Sequence, residues 1–514
     1  MPTSDILIVG GGLAGLFCAL KLAPRRVTII TPSPLGAGAA TSWSQGGVAA
    51  ASGEGDAPEK LARDTLAAGA GICDRDIVAG MTREAAARID DLLAYGAPLD
   101  KDPEGRLAQS REAPHGEREI MRLHGDMAGP AIMQALIARV RATPSIEVVD
   151  DRTAEDLIAH NGRIIGVMVR DSEGRREKLA AGATILATGG IGHLYRVTTN
   201  LADARGSGLA MAARAGAIIA DAEFVQFHPT AVDIGRDPAP MASEGLRAQG
   251  AKLVNSQGAR FMRDVHPDGE LAPRDVVARA VFAEVQAGRG AFLDASEHPG
   301  ARFAEEYPHL AEACLSAGLD PSIALMPVRP AAHFHMGGVW TDARGRSSIG
   351  GLWAIGEVAS TGVHGANRLA ANALLEAIVF AARVAEDLAS RDERQFDIEP
   401  VESFLRSRVP QAANVRQPHL EERLRDAMTA HCGVLRDGAG LRRALGVIGA
   451  IEQEARDQLI KNMCVAAQMV AAAALVREES RGGHFRTDFP HSDPGQARRS
   501  RLTLPEARRI ASGL

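Results

Sequence analysis

The sequence predicts an α/β protein: a Rossmann-like dinucleotide-binding domain interrupted by an α+β capping domain and followed by a C-terminal helical bundle. Three observations carry that prediction. A short apolar run near the N-terminus passes directly into G-x-G-x-x-G and a helical pattern. Two later apolar runs, at 184–190 and 351–357, also end in glycine turns. The texture of the chain changes near residues 222, 337 and 400, which divides it into 1–221 and 337–400 (the two parts of the first domain), 222–336 (the cap) and 401–514 (the helices).

The first element is Ile6–Val9, an apolar, β-branched run typical of a buried parallel strand. Gly10, Gly11, Gly12, Leu13, Ala14 and Gly15 follow, and a helical pattern runs from Leu16 to Leu22. Gly10 permits the tight turn, Gly12 lets backbone approach a pyrophosphate, and Gly15 lets helix and strand pack closely. The helix N-terminus offers free N–H groups and a positive dipole end to phosphates. A second strand, Val27–Thr31, ends on Thr31 where such folds commonly present an acid to a ribose hydroxyl. Residues 56–140 read mostly as helices, Asp76–Tyr95 among them.

The run Thr184 to Gly190 resembles the second strand-to-glycine turn of flavoproteins with two dinucleotide-binding motifs. Gly351 to Glu357 is another strand, ending on the acid that in those proteins binds ribityl or ribose hydroxyls. Three such pieces in this order point to FAD rather than NAD. The interval 222–336 is rich in Pro, His and Arg. Beyond Pro400 the periodicity is helical, with helices expected around Leu441–Ile460 and Ile460–Glu478 and an irregular tail after Gly482.

Composition bounds the function. Glycine supplies 54 of 514 residues, roughly a tenth against a usual share of about 7%. With 46% hydrophobic and 24% charged residues, the chain is neither disordered nor fibrous. A net charge of −6 gives no positive field for nucleic acid or an anionic membrane. Five widely spaced cysteines without a C-x-x-C pair argue against a disulfide framework, a zinc site or an iron–sulfur cluster, and no metal is expected. The start MPTSDILIVGGG lacks a basic leader, and the apolar stretch near Val465–Val476 falls short of the ~20 residues of a membrane helix. The reading is a soluble, cytoplasmic protein.

Four cationic or imidazole residues stand out because each is expected in a glycine- or proline-marked turn: His228 in QFHPT, Arg274 in APRDVV, His333 in AAHFHMGG and Arg368 in HGANRLAAN. Two planar guanidiniums and two imidazoles suit a small dicarboxylate. Together with TSWSQGGVAA at 41–50, SEGLRAQGAKLVNSQGARFM at 243–262 and SRGGHFRTDFP at 480–490, these segments resemble the succinate dehydrogenase/fumarate reductase flavoprotein family and, within it, the L-aspartate oxidase branch.

That resemblance implies roles. Arg274 is the proton donor or acceptor at the substrate; His228, His333 and Arg368 hold its carboxylates; Ser243 and Arg247 help to orient it. Glu112, in the R-E-x-x-H segment 111–115, faces the substrate ammonium. FAD contacts fall on the first glycine turn, on Thr31 and Pro32, on Ala40, Thr41, Ser42, Ser44, Gln45, Gly46 and Gly47, and on Ser207, Glu357, Ala373 and Leu374. Respiratory members attach FAD through a His five residues before the Gln of this run; here that position is Ala40, so FAD is expected to be non-covalent. Three positions depart from the family pattern: Gln249 replaces an acid, Ala371 a Ser and Ser207 a common Asp.

The implied activity is oxidation of L-aspartate to iminoaspartate, with oxygen or fumarate as electron acceptor. It would be the first step of de novo NAD synthesis, functionally coupled to quinolinate synthase. The alternatives are a soluble fumarate reductase or succinate-oxidising flavoprotein, and a non-catalytic FAD-binding protein.

Overall fold

The computed structural model describes residues 5–43, 47–49, 57–98, 109–110, 120–121, 128–391, 415 and 417–513. Its central sheet has five parallel strands in the order Leu352–Ala354, Ala183–Leu186, Ile6–Val9, Val27–Ile30 and Ile146–Val149. The three apolar runs that end in glycine turns therefore lie side by side, and their turns open at one end of the sheet. Parallel strands covered on both faces are mostly apolar. Ile6 and Ile8 point into one core with Phe17 and Phe380, while Leu7 and Val9 point into the other with Leu209 and Met211.

On the first face the helix Leu13–Leu22 packs against Ala128–Arg141 and Asn372–Ala389. Helices expected within 56–140 are present as Pro58–Ala68, Arg75–Ala94 and Ala128–Arg141; Asp74 starts the second by accepting the N–H groups of Asp76 and Ile77, both at 3.2 Å. The same interval also carries two short strands, Gln109–Ser110 and Ile120–Met121, that join Val48–Ala49. A three-stranded antiparallel sheet, Thr153–His160, Arg163–Arg170 and Arg176–Ala180, adds Ile164, Val167 and Val169 to the second core.

Between the second and third glycine turns the chain builds a different, antiparallel sheet, in the order Val225–Val232, Met326–His335, Phe292–Asp294 and Lys252–Val254. The helix Arg274–Gln286 lies across its two long strands. The C-terminal part contains Pro418–His431, Gly438–Glu454 and Gln458–Val476, close to the expected helices. Gln458–Val476 corrects the sequence reading of its length: its 19 residues, at mean hydropathy 1.7, could cross a membrane by composition, yet 78% of that window is buried inside the protein. The tail is also more ordered than its prolines imply. Arg501–Leu502 pairs with Ile219–Ala220, and Leu504–Ser512 is a helix started by a capping box between Thr503 and Glu506.

Candidate active site

One cavity of about 1180 Å³ runs from the first glycine turn to the antiparallel sheet. At the turn, a Cβ on Gly10 would lie 2.2 Å from the Ala187 carbonyl oxygen, and one on Gly15 would lie 2.1 Å from that of Gly10. These two glycines serve packing. A Cβ on Gly12 would meet nothing nearer than 4.0 Å, so the backbone there faces open space. The turn thus offers the helix N-terminus of Leu13–Leu22 to the cavity without an intervening side chain.

Further walls at this end are Thr31, Pro32, Ala40, Thr41, Ser42, Gly47, Ser207, Glu357, Ala373 and Leu374. The Thr31 hydroxyl donates to the Ser33 carbonyl at 2.9 Å. Glu357 accepts the His335 N–H at 2.9 Å, and burial pushes its carboxyl up to about 7. An open glycine turn and a buried acid on the same cavity fit a dinucleotide whose pyrophosphate meets the helix end. Ala40 has no side chain able to bond a flavin. Ser44, Gln45 and Gly46 lie outside the described residues.

At the other end, His228, Ser243, Glu244, Arg274, His333 and Arg368 line the same cavity. His228 sits where the strand Val225–Val232 loses register with its partner, and His333 is near the end of that partner, Met326–His335. Their rings meet edge to face with centroids 5.2 Å apart. Arg274 is the first residue of its helix, directly after Pro273. Arg368 comes from the loop before Asn372–Ala389 and lies over the Phe334 ring, 4.5 Å from its centroid. Ala371 follows in a left-handed conformation, φ 61°, at the N-cap of that helix.

Two residues absent from the sequence reading organise the cluster. Glu244, 3% exposed, accepts from Arg274 Nε at 2.9 Å and Nη2 at 2.7 Å. The Gln226 side-chain oxygen accepts from Arg274 Nη1 at 3.0 Å and from Arg368 Nη2 at 3.2 Å. Guanidiniums only donate, so Gln226 must present its oxygen to both. Arg247 is not on the cavity wall; it lies behind Glu244, with Nη2 at 3.4 Å from the carboxylate and Nη1 donating to the Glu270 carbonyl. The only sequence signals for these partners were adjacency, Glu244 beside Ser243 and Gln226 two residues before His228. Glu112 lies outside the described residues.

Electrostatically the cluster is cationic. Burial pushes the Glu244 carboxyl up, but Arg274 and Arg247 outweigh it and hold it below the usual carboxylate range. Burial holds His228 and His333 well below their ordinary value, helped by the guanidiniums around them, so both are neutral near pH 7. Three guanidiniums against one carboxylate leave a surplus of positive charge that matches a small dicarboxylate.

Known proteins resemble the chain over nearly its whole length. The FAD binding domain family model matches residues 5–374, and the fumarate reductase flavoprotein C-term model matches 458–509. The L-aspartate oxidase of Caulobacter vibrioides is 50% identical over 95% of this chain and 94% of its own length. That of Agrobacterium fabrum is 43% identical over 99% of this chain and 96% of its own. Among solved structures, a point mutant of E. coli quinol fumarate reductase FrdA has a TM-score of 0.87 at 27% identity, covering 96% of this chain and 93% of its own. Mycobacterium smegmatis Sdh1 in complex with UQ1 has a TM-score of 0.82 at 30% identity, covering 96% and 90%.

Proposed function

Because the chain belongs to the L-aspartate oxidase family of FAD-dependent flavoproteins, we propose that it oxidises L-aspartate to iminoaspartate, the first step of de novo NAD biosynthesis. The observation that carries this reading is the convergence of Arg274, Arg368, His228 and His333 on a cavity continuous with the Gly10–Gly12 turn. Fumarate or oxygen serves as electron acceptor. The product feeds quinolinate synthase, and the enzyme works in the cytoplasm.

When bound, FAD supplies the two-electron acceptor for the hydride lost from the substrate α-carbon. Gly10, Gly11 and Gly12 hold its pyrophosphate side and Glu357 its hydroxyls. Ala40 leaves it non-covalent. Arg368, His228 and His333 hold the substrate carboxylates, with Ser243 beside them. Glu112 faces the ammonium, the group that separates aspartate from succinate. Arg274 carries the proton, and Glu244 at 2.7 Å is the group with which it can exchange it. Arg247 supports Glu244 from behind. Residues 222–336 form the cap whose closure excludes water from the site.

The test is an anaerobic titration of the FAD-loaded protein with L-aspartate, run beside succinate. Bleaching of the flavin absorbance by L-aspartate is the expected result. Bleaching by succinate alone assigns the chain to succinate oxidation, and no bleaching by either makes it a binding protein; both overturn the proposal. Arg274→Leu should keep its FAD while turnover falls by ~10²-fold or more, the range of general acid–base catalysis.

A further inference from the structure

An imidazole, unlike a guanidinium, can donate or accept at either nitrogen, so the tautomer decides what His228 and His333 offer to a ligand. His228 is settled by a backbone group. Its Nδ1 lies 3.3 Å from the Thr230 N–H, which can only donate, so the ring proton is on Nε2. That Nε2 is buried and has no partner among the described residues, on a residue that lines the cavity. A ligand acceptor is what would satisfy it.

His333 faces a hydroxyl, which can donate or accept. Its Nδ1 lies 2.8 Å from Thr199 Oγ1. Segment 198–200 is stitched to the backbone that carries this ring. Thr198 Oγ1 donates to the Ala332 carbonyl at 2.8 Å, Thr199 N–H to the same carbonyl at 3.1 Å, and Asn200 Nδ2 to the His333 carbonyl at 2.9 Å. The hydroxyl is thereby held at a fixed place beside the imidazole. A carboxylate ligand has only acceptor oxygens, so a bare Nε2 lone pair turned toward it would repel it.

We infer that Thr199 is a positioning residue for the substrate: its hydroxyl donates to His333 Nδ1 and so holds His333 as the Nε2–H tautomer, matching His228. The site then presents two imidazole N–H donors beside Arg368, a set that accepts a carboxylate and disfavours a donor group at that position. Burial beside Arg274 and Arg368 keeps both rings uncharged, which is the state in which a tautomer exists to be chosen.

The inference deepens the function proposed above and rests on a carboxylate ligand, but its first test uses no substrate. Long-range 1H–15N correlation of the FAD-loaded, histidine-labelled protein, with His333→Gln to assign the signal, should give an Nε2-protonated pattern for His333. In Thr199→Val it should become a mixture of the two tautomers. In turnover, Thr199→Val should raise KM for L-aspartate by about 10-fold, the size of one hydrogen bond, with kcat changed by less than about 3-fold. Thr199→Ser should return KM to within about 3-fold of wild type. A proton on Nδ1 of wild-type His333 overturns the inference, as does an unchanged KM in Thr199→Val or a Ser variant no better than Val. If the wild type fails to oxidise L-aspartate while His333 shows the Nε2–H pattern, the substrate assignment falls and the role of Thr199 stands.

Discussion

At Glu357 a single carboxylate joins the two ends of the cavity. It follows the strand Leu352–Ala354, accepts the His335 N–H and has its pKa pushed by burial up to about 7, against the opposing pull of that hydrogen bond and of Arg368. A folded-state value above the ordinary one means that the native protein binds this proton more tightly than the unfolded chain. The stabilisation is full below the unfolded value and is lost as pH rises through about 7. The FAD-free protein should therefore lose about 1–3 kcal/mol from this group between about pH 5 and pH 8, and Glu357→Gln should remove that part of the slope. Thermal unfolding of the two proteins at both pH values measures it. On the same cavity wall, Arg274, Arg368, His228 and His333 stood out in the sequence because each lies in a segment marked by Gly or Pro. The structure nevertheless puts His228 and His333 in strands and Arg274 at a helix start rather than in turns. Glu244 and Gln226 did not stand out, since an acid and an amide look ordinary until 3% and 1% exposure set them apart.

The strand–turn–helix Ile6–Leu22 was legible almost completely, because its constraint is local sterics. Gly15 would place a Cβ against a backbone oxygen that cannot swing away, whereas Gly12 faces space. Gly15→Ala should destabilise the FAD-free protein by about 1–3 kcal/mol, the range for overpacking. Gly12→Ala should leave that stability nearly unchanged and weaken FAD binding instead. Thermal unfolding without FAD, followed by FAD titration, separates the two. Other elements had signals that went unused. Asn161-Gly162, with φ of 48° and 73°, is the two-residue hairpin turn between Thr153–His160 and Arg163–Arg170. The pairing of Gln109–Ser110 and Ile120–Met121 had none, since two-residue strands carry no periodicity.

Over the whole molecule, the C-terminal helices reach back to the loop that carries Thr199. Arg425 on Pro418–His431 donates to the Tyr195 carbonyl at 3.0 Å and to Asp237 at 2.7 Å, while Tyr195 donates to the Cys432 carbonyl at 3.2 Å. Removing a buried guanidinium leaves its acceptors unsatisfied. Arg425→Met should cost about 1–3 kcal/mol of stability, whereas Arg423→Met, which breaks an ion pair with Glu454 that is about half exposed on both sides, should cost under ~0.5 kcal/mol. Denaturant unfolding of the two variants makes the comparison.

The sequence by itself determined the strand-to-glycine turns, the resident FAD and the order of the cationic residues along the chain. Each is carried by short segments, a dozen residues or fewer, in which backbone sterics and side-chain periodicity act, and by their order along the chain. Only the tertiary structure decided which groups meet: Arg274 with Glu244 across 30 positions, His333 with Thr199 across 134 and Arg368 with Gln226 across 142. Hydrogen bonds and charges act over a few ångströms, so a pairing exists only once the packing of the sheets has brought distant segments to that range.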